Sequence, residues 1–464
     1  MSGGAPASAA PAAVPAEAPL STRDVARAWW PLAASWLLMG LELPMVSAAV
    51  ARLADPTVHL AAYGGVVFPL SLLIESPVIM LLAASTALCR DRPSYALVRR
   101  FMLGLGAGFT ALHALVAFTP LFDLLAARVL GVPEAVREPA RLGLQVMTPW
   151  TASIAYRRFQ QGVLIRFGHA RAVGVGTAVR LGANAAVLGA GLALAAGPGI
   201  LVGTLAVACG VVAEAVYAGV RVRPVLREQL PARDPRAPAL SPAAFLRFYV
   251  PLMVTPAFMF LAMPLASAGM SRMRLPLESL AAWPALNGLV FAFRSGGFAL
   301  NEVVVAQLDR PGAVRALRRF TLALACALSG ALALLALTPL GRAWFVHVAG
   351  LPPALVALAV TGLALSVAFP AVSAATSLWQ GALVHARATR GVTESVVVFL
   401  AAAAAGLGAG VAWDGAPGLW IAAPALVAGS VAQAAWLRLR ARPVLRAIAG
   451  GDGAPAGRGA PGDA

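Results

Sequence analysis

The sequence predicts an all-α polytopic membrane protein in which twelve transmembrane helices form two pseudo-symmetric six-helix bundles. Composition, the lengths of the apolar runs and an internal repeat support this fold class. Hydrophobic residues make up 60% of the 464 residues, charged residues only 12%, and the mean hydropathy is +0.80. Water-soluble domains do not have this balance, so we expect a chain built mainly from membrane-spanning segments.

The apolar residues fall into twelve runs, each of about twenty residues or more, the length at which a helix crosses the hydrocarbon layer of a bilayer. None of the runs alternates polar with apolar residues as the strands of a porin do. We place their cores at residues 29–51, 60–88, 101–120, 142–165, 172–195, 199–220, 246–270, 279–307, 320–340, 354–381, 391–412 and 417–437.

The two halves of the chain repeat short motifs at one spacing. The Thr-Pro-Leu motif that begins at Thr119 returns at Thr338, and Gln161 returns as Gln380, in both cases 219 positions later. A fixed offset shared by several motifs indicates a tandem duplication. We expect six spans in each repeat. Because six is even, both halves enter the membrane in the same orientation, related by an axis along its normal.

This duplication predicts the domain boundaries. The segment between the repeats is rich in arginine and proline, and the chain ends are rich in alanine, glycine and proline. The amino-terminal end lacks the basic and apolar regions of a signal peptide, so we expect both ends to be disordered tails. The predicted parts are a tail at 1–22, a six-helix bundle at 23–223, a linker at 224–243, a second six-helix bundle at 244–440 and a tail at 441–464.

The formal charge of +17 comes from arginine alone, because the 36 basic residues include no lysine. Most arginines lie in alternate loops and in the tails, which by the positive-inside rule makes both chain ends cytoplasmic. The basic clusters are short and carry no interleaved aromatic residues, so we do not expect a nucleic-acid surface. We expect a multi-pass protein of the bacterial inner membrane, with the lipid bilayer as its surroundings.

No pattern of catalytic or metal-binding residues stands out in the sequence. A P-loop is absent, the five histidines are isolated, and the cysteines Cys89, Cys209 and Cys326 are dispersed. Neither a disulfide framework nor a metal site is therefore indicated. We expect no catalytic residues and no cofactor, so the chain is not expected to be an enzyme.

Polar residues at membrane depth are the candidate functional residues. In the eighth run, Asn287, Arg294 and Asn301 are spaced seven apart and share one helix face, with Glu302 beside them. An arginine at the centre of a membrane helix costs about 2.5–3.5 kcal/mol, so a function for such a residue is the default hypothesis. Similar stripes contain Trp150, Arg157 and Gln161 in the fourth run, Thr177, Arg180 and Asn184 in the fifth, and Ser373, Ser377 and Gln380 in the tenth.

Two alternatives to a functional role stay open for these stripes. The neutral side chains could simply join helices through hydrogen bonds, which contribute about 0.6 kcal/mol on average in a membrane. Arg157 and Arg158 lie near the cytoplasmic third of their helix, where a long side chain can extend to the interface.

Two acidic residues also lie at membrane depth. Glu75 occupies the repeat position of Arg294 in the first half of the chain. We expect the two to face each other across a central cleft, either as a gate or as a static ion pair. Glu42 lies in the first run, where it is either a proton-coupling carboxylate or the partner of an arginine.

Two repeats of six helices, a basic linker and the matching interior prolines Pro44 and Pro264 resemble the multidrug/oligosaccharidyl-lipid/polysaccharide flippase superfamily, which includes the MATE transporters. Within it, nearly the whole chain between the tails is similar to the progressive ankylosis protein family of anion exporters. The residues that carry this second resemblance are Pro264, Ser271-Arg272, Glu302, Phe369-Pro370 and Gly381.

The sequence also departs from these families. Val46-Ser47 stands where MATE proteins commonly have valine-aspartate, which argues against MATE-type cation coupling through the first helix. The stretch from Tyr156 to Gln161 is longer and more basic than its counterpart in the ankylosis family.

The resemblance and the deep arginines together predict a secondary transporter that exports a substrate by alternating access between two bundles. Guanidinium groups match carboxylate and phosphate geometry, so we expect an anionic or amphipathic small molecule. The alternatives are a multidrug antiporter of the MATE type, a flippase for a lipid-linked sugar, and a non-transporting membrane scaffold. A proton or a sodium ion would serve as the coupling ion, and we expect a monomer.

Overall fold

The computed structural model describes residues 19–195, 197–235 and 239–451. Regular structure in these ranges is helical, apart from one isolated β-bridge between Arg274 and Pro417. Within the same ranges, ten helices are long and apolar enough to cross a membrane, and a pair bent by 41° forms an eleventh such span. The tails predicted at the two chain ends lie largely outside the described residues.

We number the membrane helices α1 to α12 in chain order. The first six are α1 at Thr22–Val50, α2 at Pro56–Leu88, α3 at Arg92–Phe118, α4 at Glu134–Val146 and Thr148–Arg166, α5 at Arg171–Ala193 and α6 at Gly199–Glu228. The second six are α7 at Pro242–Met270, α8 at Pro276–Gln307, α9 at Ala313–Leu337, α10 at Pro353–Leu365 and Phe369–His385, α11 at Arg390–Trp413 and α12 at Gly418–Gly451.

The fourth helix, α4, completes the predicted set of twelve. The run predicted at residues 142–165 lies in this helix, although its mean hydropathy is below that of the ten most apolar helices because its second segment carries two arginines and two glutamines around Phe159. Its repeat counterpart is the bent helix α10, which begins and ends at the repeat positions of Glu134 and Arg166. The twelve-helix fold of two six-helix halves is therefore confirmed.

The repeat extends to irregular features between the membrane helices. A short π-helix occupies Leu125–Val129 between α3 and α4, and its counterpart occupies Trp344–Val348 between α9 and α10. Each is followed by a glycine with positive φ, Gly131 at 68° and Gly350 at 67°. Both halves thus build the same tight connection, with glycine where the backbone turns left-handed.

Two helices extend past the predicted boundaries. Helix α6 continues to Glu228, inside the predicted linker, and α12 continues to Gly451, beyond the predicted bundle boundary at 440. The composition of both segments suggested linker and tail, but leucine, alanine and arginine are good helix formers and extend a helix that is already nucleated. At the other end of the chain, Ser21 caps α1 by accepting a hydrogen bond from the Asp24 amide.

The two interior prolines Pro44 and Pro264 lie at matching depths in α1 and α7. Helix α1 is interrupted at Leu41 into Thr22–Gly40 and Glu42–Val50, because Pro44 lacks the amide that would bond one turn back. Helix α7 is continuous through Pro264.

Helices α1 and α7 each begin against the opposite bundle. The Trp29 indole donates to the Gly296 carbonyl of α8 at 2.7 Å. In the same way Tyr249 of α7 donates to the Pro77 carbonyl of α2 at 2.6 Å. We call the membrane face where α1 and α7 begin the proximal face and the opposite one the distal face.

The bundles meet closely in the distal half of the membrane. There α2 contains a fully buried π-helical stretch, Ala61–Val67, that packs against α8. A Cβ added at Gly64 would lie 2.3 Å from the Pro284 side chain, and one at Gly288 would lie 2.9 Å from Pro44. The backbones therefore approach to a distance that only glycine permits, which closes the space between the bundles on this side.

Candidate functional site

The first bundle holds a buried charge cluster, which we define as Glu42, Glu75, Arg157, Arg158, Arg180 and Glu214 with the amides of Gln161 and Asn184. Glu214 of α6 is at its centre, with its side chain 1% exposed. Its carboxylate is ion-paired with Arg157, accepts from Gln161 Nε2 at 2.9 Å and lies 3.4 Å from Arg180 Nε. Three helices, α4, α5 and α6, are joined through this one carboxylate.

Arg180 extends the cluster to α1. Its Nη1 lies 2.9 Å from one oxygen of Glu42, and Asn184 Nδ2 donates to the other oxygen at 2.7 Å. Gly210 of α6 leaves room for this contact, since a Cβ there would lie 1.6 Å from Asn184 Oδ1. Glu42 is therefore an arginine partner in this structure, which was one of its two predicted roles.

Glu75 belongs to the same cluster. It is 3% exposed, its Oε2 accepts no hydrogen bond from a described residue, and it interacts electrostatically with Arg157 and Arg158. The expected ion pair between Glu75 and Arg294 is absent among the described residues. The three glutamates and three arginines of the cluster cancel in formal charge, and among the described residues the ion pairs within it join Glu42, Glu214, Arg157 and Arg180.

Arg294 lies in the second bundle without an acidic partner among the described residues. Its Nε donates to Ser373 Oγ of α10 at 2.9 Å. The guanidinium carbon lies 3.9 Å from the Phe369 ring centroid and 5.2 Å from that of Phe298, so aromatic faces support the cation. Neither Nη group donates to another described residue.

A cavity of about 300 Å³ opens beside Arg294. A second cavity of about 210 Å³ shares Arg294 as a wall and reaches Asn287, Trp283 and Phe291. Helices α1, α7, α8, α10 and α12 therefore surround a cavity that is lined by several polar side chains. We call the first cavity the Arg294 pocket; its lining is Trp36, Met259, Arg294, Phe298, Asn301, Glu302, Ser373, Thr376, Ser377, Gln380, Ser430 and Gln433.

One carboxylate also lines the Arg294 pocket. Glu302 follows Arg294 by two turns on α8, which places it about 12 Å further toward the proximal face. It accepts a hydrogen bond from the Trp36 indole at 3.1 Å and is exposed. The guanidinium is thus deep in the pocket and the carboxylate nearer its proximal end, with the amides of Asn301 and Gln380 on the same walls.

The predicted site residues separate into two groups. The charge cluster contains Glu42, Glu75, Arg157, Arg158, Gln161, Arg180 and Asn184, whereas Asn287, Arg294, Asn301, Glu302 and Gln380 line the two cavities. Trp150 joins neither group; it is buried and packs near the Phe68 ring.

Sequence reasoning missed Glu214, Trp36 and Gln433. Glu214 had a usable signal, a carboxylate in the interior of an apolar run, because such a group must find a cation. Gln433 is its repeat counterpart in the second half of the chain. Trp36 carried no signal, since tryptophans are common on membrane helices.

No family model matches the chain, and no curated protein matches it. Solved structures do. An inward-facing multidrug resistance MATE family transporter of the MOP superfamily has a TM-score of 0.68 at 14% identity, covering 88% of this chain and 95% of that one. An outward-facing MATE transporter has a TM-score of 0.61 at 16% identity, covering 92% and 96%.

A third match is a MOP superfamily transporter from Pyrococcus furiosus, with a TM-score of 0.59 at 16% identity over 93% of this chain and 99% of that one. For that protein, a reverse polarity of the binding pocket is described as suggesting a different function. At these identities the similarity establishes the fold. The chain has the MATE fold, as the sequence predicted.

Proposed function

We propose that this protein is a secondary membrane transporter that exports an anionic, partly apolar small molecule by alternating access between its two bundles. The observation that carries the proposal is the Arg294 pocket, where a half-buried guanidinium without an acidic partner among the described residues lines a cavity at membrane depth beside several other polar side chains. An isolated arginine inside a membrane protein is costly, and an anion bound beside it would offset that cost.

The pocket chemistry supports an anion as the substrate. Both Nη groups of Arg294 are available, and a planar guanidinium binds a carboxylate or phosphate through two parallel hydrogen bonds. The amides and hydroxyls around it supply further neutral donors. Trp36, Met259 and Phe298 form an apolar wall on the same cavity, which favours a substrate with an apolar portion beside its charge.

The packing between the bundles supports alternating access from an inward-facing state. The distal half is closed by the glycine contacts of α2 and α8, while the pocket carboxylate lies toward the proximal face. The similar folds include both an inward-facing and an outward-facing transporter. With the chain ends in the cytoplasm of a bacterial cell, as the arginine distribution favours, the pocket would load from the cytoplasm.

A flippase for a lipid-linked substrate is the second candidate. An apolar cavity of about 620 Å³ lies between the bundles and is lined by Leu70 of α2, Phe258 of α7 and Val397 of α11. Such a cavity would accommodate an acyl or isoprenoid chain. This alternative keeps Arg294 as the site for the phosphate and differs in how the substrate enters.

Export from reconstituted vesicles tests the proposal. Proteoliposomes would be loaded in turn with labelled phenyl phosphate, hexyl phosphate, succinate and phosphate, and release would be followed for the wild type, Arg294→Gln and Arg318→Gln. Arg318 is the matched control because it is an exposed arginine at the proximal end of α9.

We expect release of at least one anion to fall about tenfold or more in Arg294→Gln, since one charge-assisted interaction contributes about 1.5–3 kcal/mol. The control variant is expected to behave as the wild type. Equal release by Arg294→Gln and wild type for every anion that the wild type exports would contradict the proposal. A loss confined to lipid-linked phosphates added to the bilayer would favour the flippase.

A further inference from the structure

Arg52 connects the distal end of α1 to the opposite bundle. Its Nη2 donates to the carbonyls of His347 at 2.8 Å and Val348 at 3.1 Å, at the end of the second π-helix. Its Nη1 donates to the Ala48 carbonyl at 2.6 Å, one turn back on its own helix. One guanidinium therefore holds main-chain oxygens of both bundles.

Arg272 makes the same connection from α7 in the other direction. Its Nη2 donates to the carbonyls of Arg128 at 2.9 Å and Val129 at 2.8 Å, at the end of the first π-helix. Its Nη1 donates to the Leu130 carbonyl at 3.1 Å and to Ala268 of its own helix at 2.8 Å. The contact is the repeat image of the one made by Arg52.

The carbonyl groups at the end of a helix have no partner inside that helix and form the negative end of its dipole. An arginine is suited to this position, because its planar fork reaches two adjacent carbonyls and keeps its charge at every physiological pH. Both guanidiniums are exposed at the distal face, so water can replace the carbonyls when the bundles separate. The contacts can therefore form and break repeatedly.

Glycine is required next to each arginine. A Cβ at Gly350 would lie 2.6 Å from Arg52 Nη1, and a Cβ at Gly131 would lie 3.3 Å from Arg272 Cζ. Both positions have positive φ, which glycine alone adopts without strain. The connection after each π-helix thus leaves space for a guanidinium from the other bundle.

We propose that Arg52 and Arg272 form two repeat-related latches that hold the distal face closed, and that both must release before that face opens. The inference rests on the proposed alternating access between the bundles. It adds a role for two residues outside the Arg294 pocket, and it assigns the distal face as the gate that they control. The glycine contacts between α2 and α8 close the same side, so the latches act together with that packing.

Spin-label distances across the distal face test the latches without any substrate. Labels would be placed at Glu138→Cys on α4 and Ala357→Cys on α10, two exposed repeat-equivalent positions, after the three native cysteines are replaced by alanine. The distance distribution would be measured by pulsed electron resonance in reconstituted bilayers for the wild type and for Arg52→Ala/Arg272→Ala.

We expect the double variant to increase the population with the longer distance about tenfold, which corresponds to about 1.4 kcal/mol. Arg137→Ala is the matched control, because Arg137 lies on the same face and donates to the Val132 carbonyl within its own bundle, at 3.0 Å. It is expected to leave the distribution unchanged. Gly350→Ala should open the distal face more than Gly131→Ala. Both substitutions place alanine at positive φ, but the added Cβ would lie closer to the guanidinium at Gly350, 2.6 Å from Arg52 against 3.3 Å from Arg272 at Gly131.

An unchanged distribution in the double variant would overturn the latch, whatever its export activity. An equal shift of the distance distribution in Arg137→Ala would also overturn the latch, because the effect would then not require a hydrogen bond between the two bundles. The proposed anion export is tested separately by Arg294→Gln, which leaves both latches intact, so the two failures are distinguishable.

Discussion

The interiors of the two bundles use equivalent positions in opposite ways. Arg157 and Glu214 of the first bundle correspond, at the offset of the repeat, to Thr376 and Gln433 of the second. The first pair forms a buried ion pair, and the second pair lines the Arg294 pocket. Each bundle has a glutamine one turn further along the same helix, Gln161 after Arg157 and Gln380 after Thr376. An amide is therefore the feature that the two interiors share.

Arg294, the cation that lines the pocket, lies at a repeat position that carries the opposite charge in the first bundle. Arg294 stands where the first bundle has Glu75, and Phe399 stands where it has Arg180. Because the central glutamate of the charge cluster is replaced by an amide, the second bundle lacks the carboxylate that would neutralise Arg294. The comparison teaches that one repeated set of positions became a self-neutralised cluster in one bundle and a cavity with an unneutralised cation in the other.

Removing the Glu214 carboxylate, the centre of the charge cluster, is expected to have the largest effect on the stability of the protein. Glu214→Ala leaves Arg157 and Arg180 facing each other without their shared carboxylate, and breaking a buried ion pair costs about 3–5 kcal/mol. Thermal unfolding in detergent should show a large decrease in midpoint. Glu302→Ala is the control, since that carboxylate is exposed and has no ion-pair partner among the described residues. Equal stability of both variants would contradict the structural role of the cluster.

Replacing Arg157 and Glu214 by the residues at the equivalent positions of the second bundle is expected to have a smaller effect on the free energy of unfolding. In Arg157→Thr/Glu214→Gln both members of the pair take the residues of their repeat counterparts, so no charge of that pair is left unpaired. The double variant should lose less stability than the sum of the losses in Arg157→Thr and Glu214→Gln, by about 0.5–3 kcal/mol, the usual coupling energy of residues in contact. A double-mutant cycle of unfolding free energies measures this, and simple additivity would show that the two residues act independently.

The sequence was sufficient for the fold because composition, span length and the nearly constant offset of the repeat are properties of the chain alone. It also identified most polar residues of both interiors, since seven-residue spacing places side chains on one helix face. It failed for the Glu75 and Arg294 pair, because a repeat offset gives equivalent positions in two bundles and does not give proximity. Glu75 instead lies among the arginines of its own bundle.

Other features depend on packing that no pattern encodes. Arg52 appears in the sequence as one of many loop arginines and Arg272 as part of a Ser-Arg motif. The contacts of both with the opposite bundle follow from the position of the π-helices. The Gly210 contact with Asn184 likewise depends on how closely α5 and α6 approach. The extension of α12 to Gly451 has no clear sequence signal, because the composition of this segment is also typical of a tail.

Direct anion binding to the purified protein tests the central claim, that the second bundle presents an unneutralised cation and the first does not. Binding of labelled hexyl phosphate or phosphate would be measured for the wild type, Arg294→Gln and Arg158→Gln, the last being a charge-cluster arginine. We predict that Arg294→Gln weakens binding about tenfold or more and that Arg158→Gln leaves it within about twofold. Unweakened binding in Arg294→Gln, or an equal loss in Arg158→Gln, would contradict the assignment of the anion site to the Arg294 pocket.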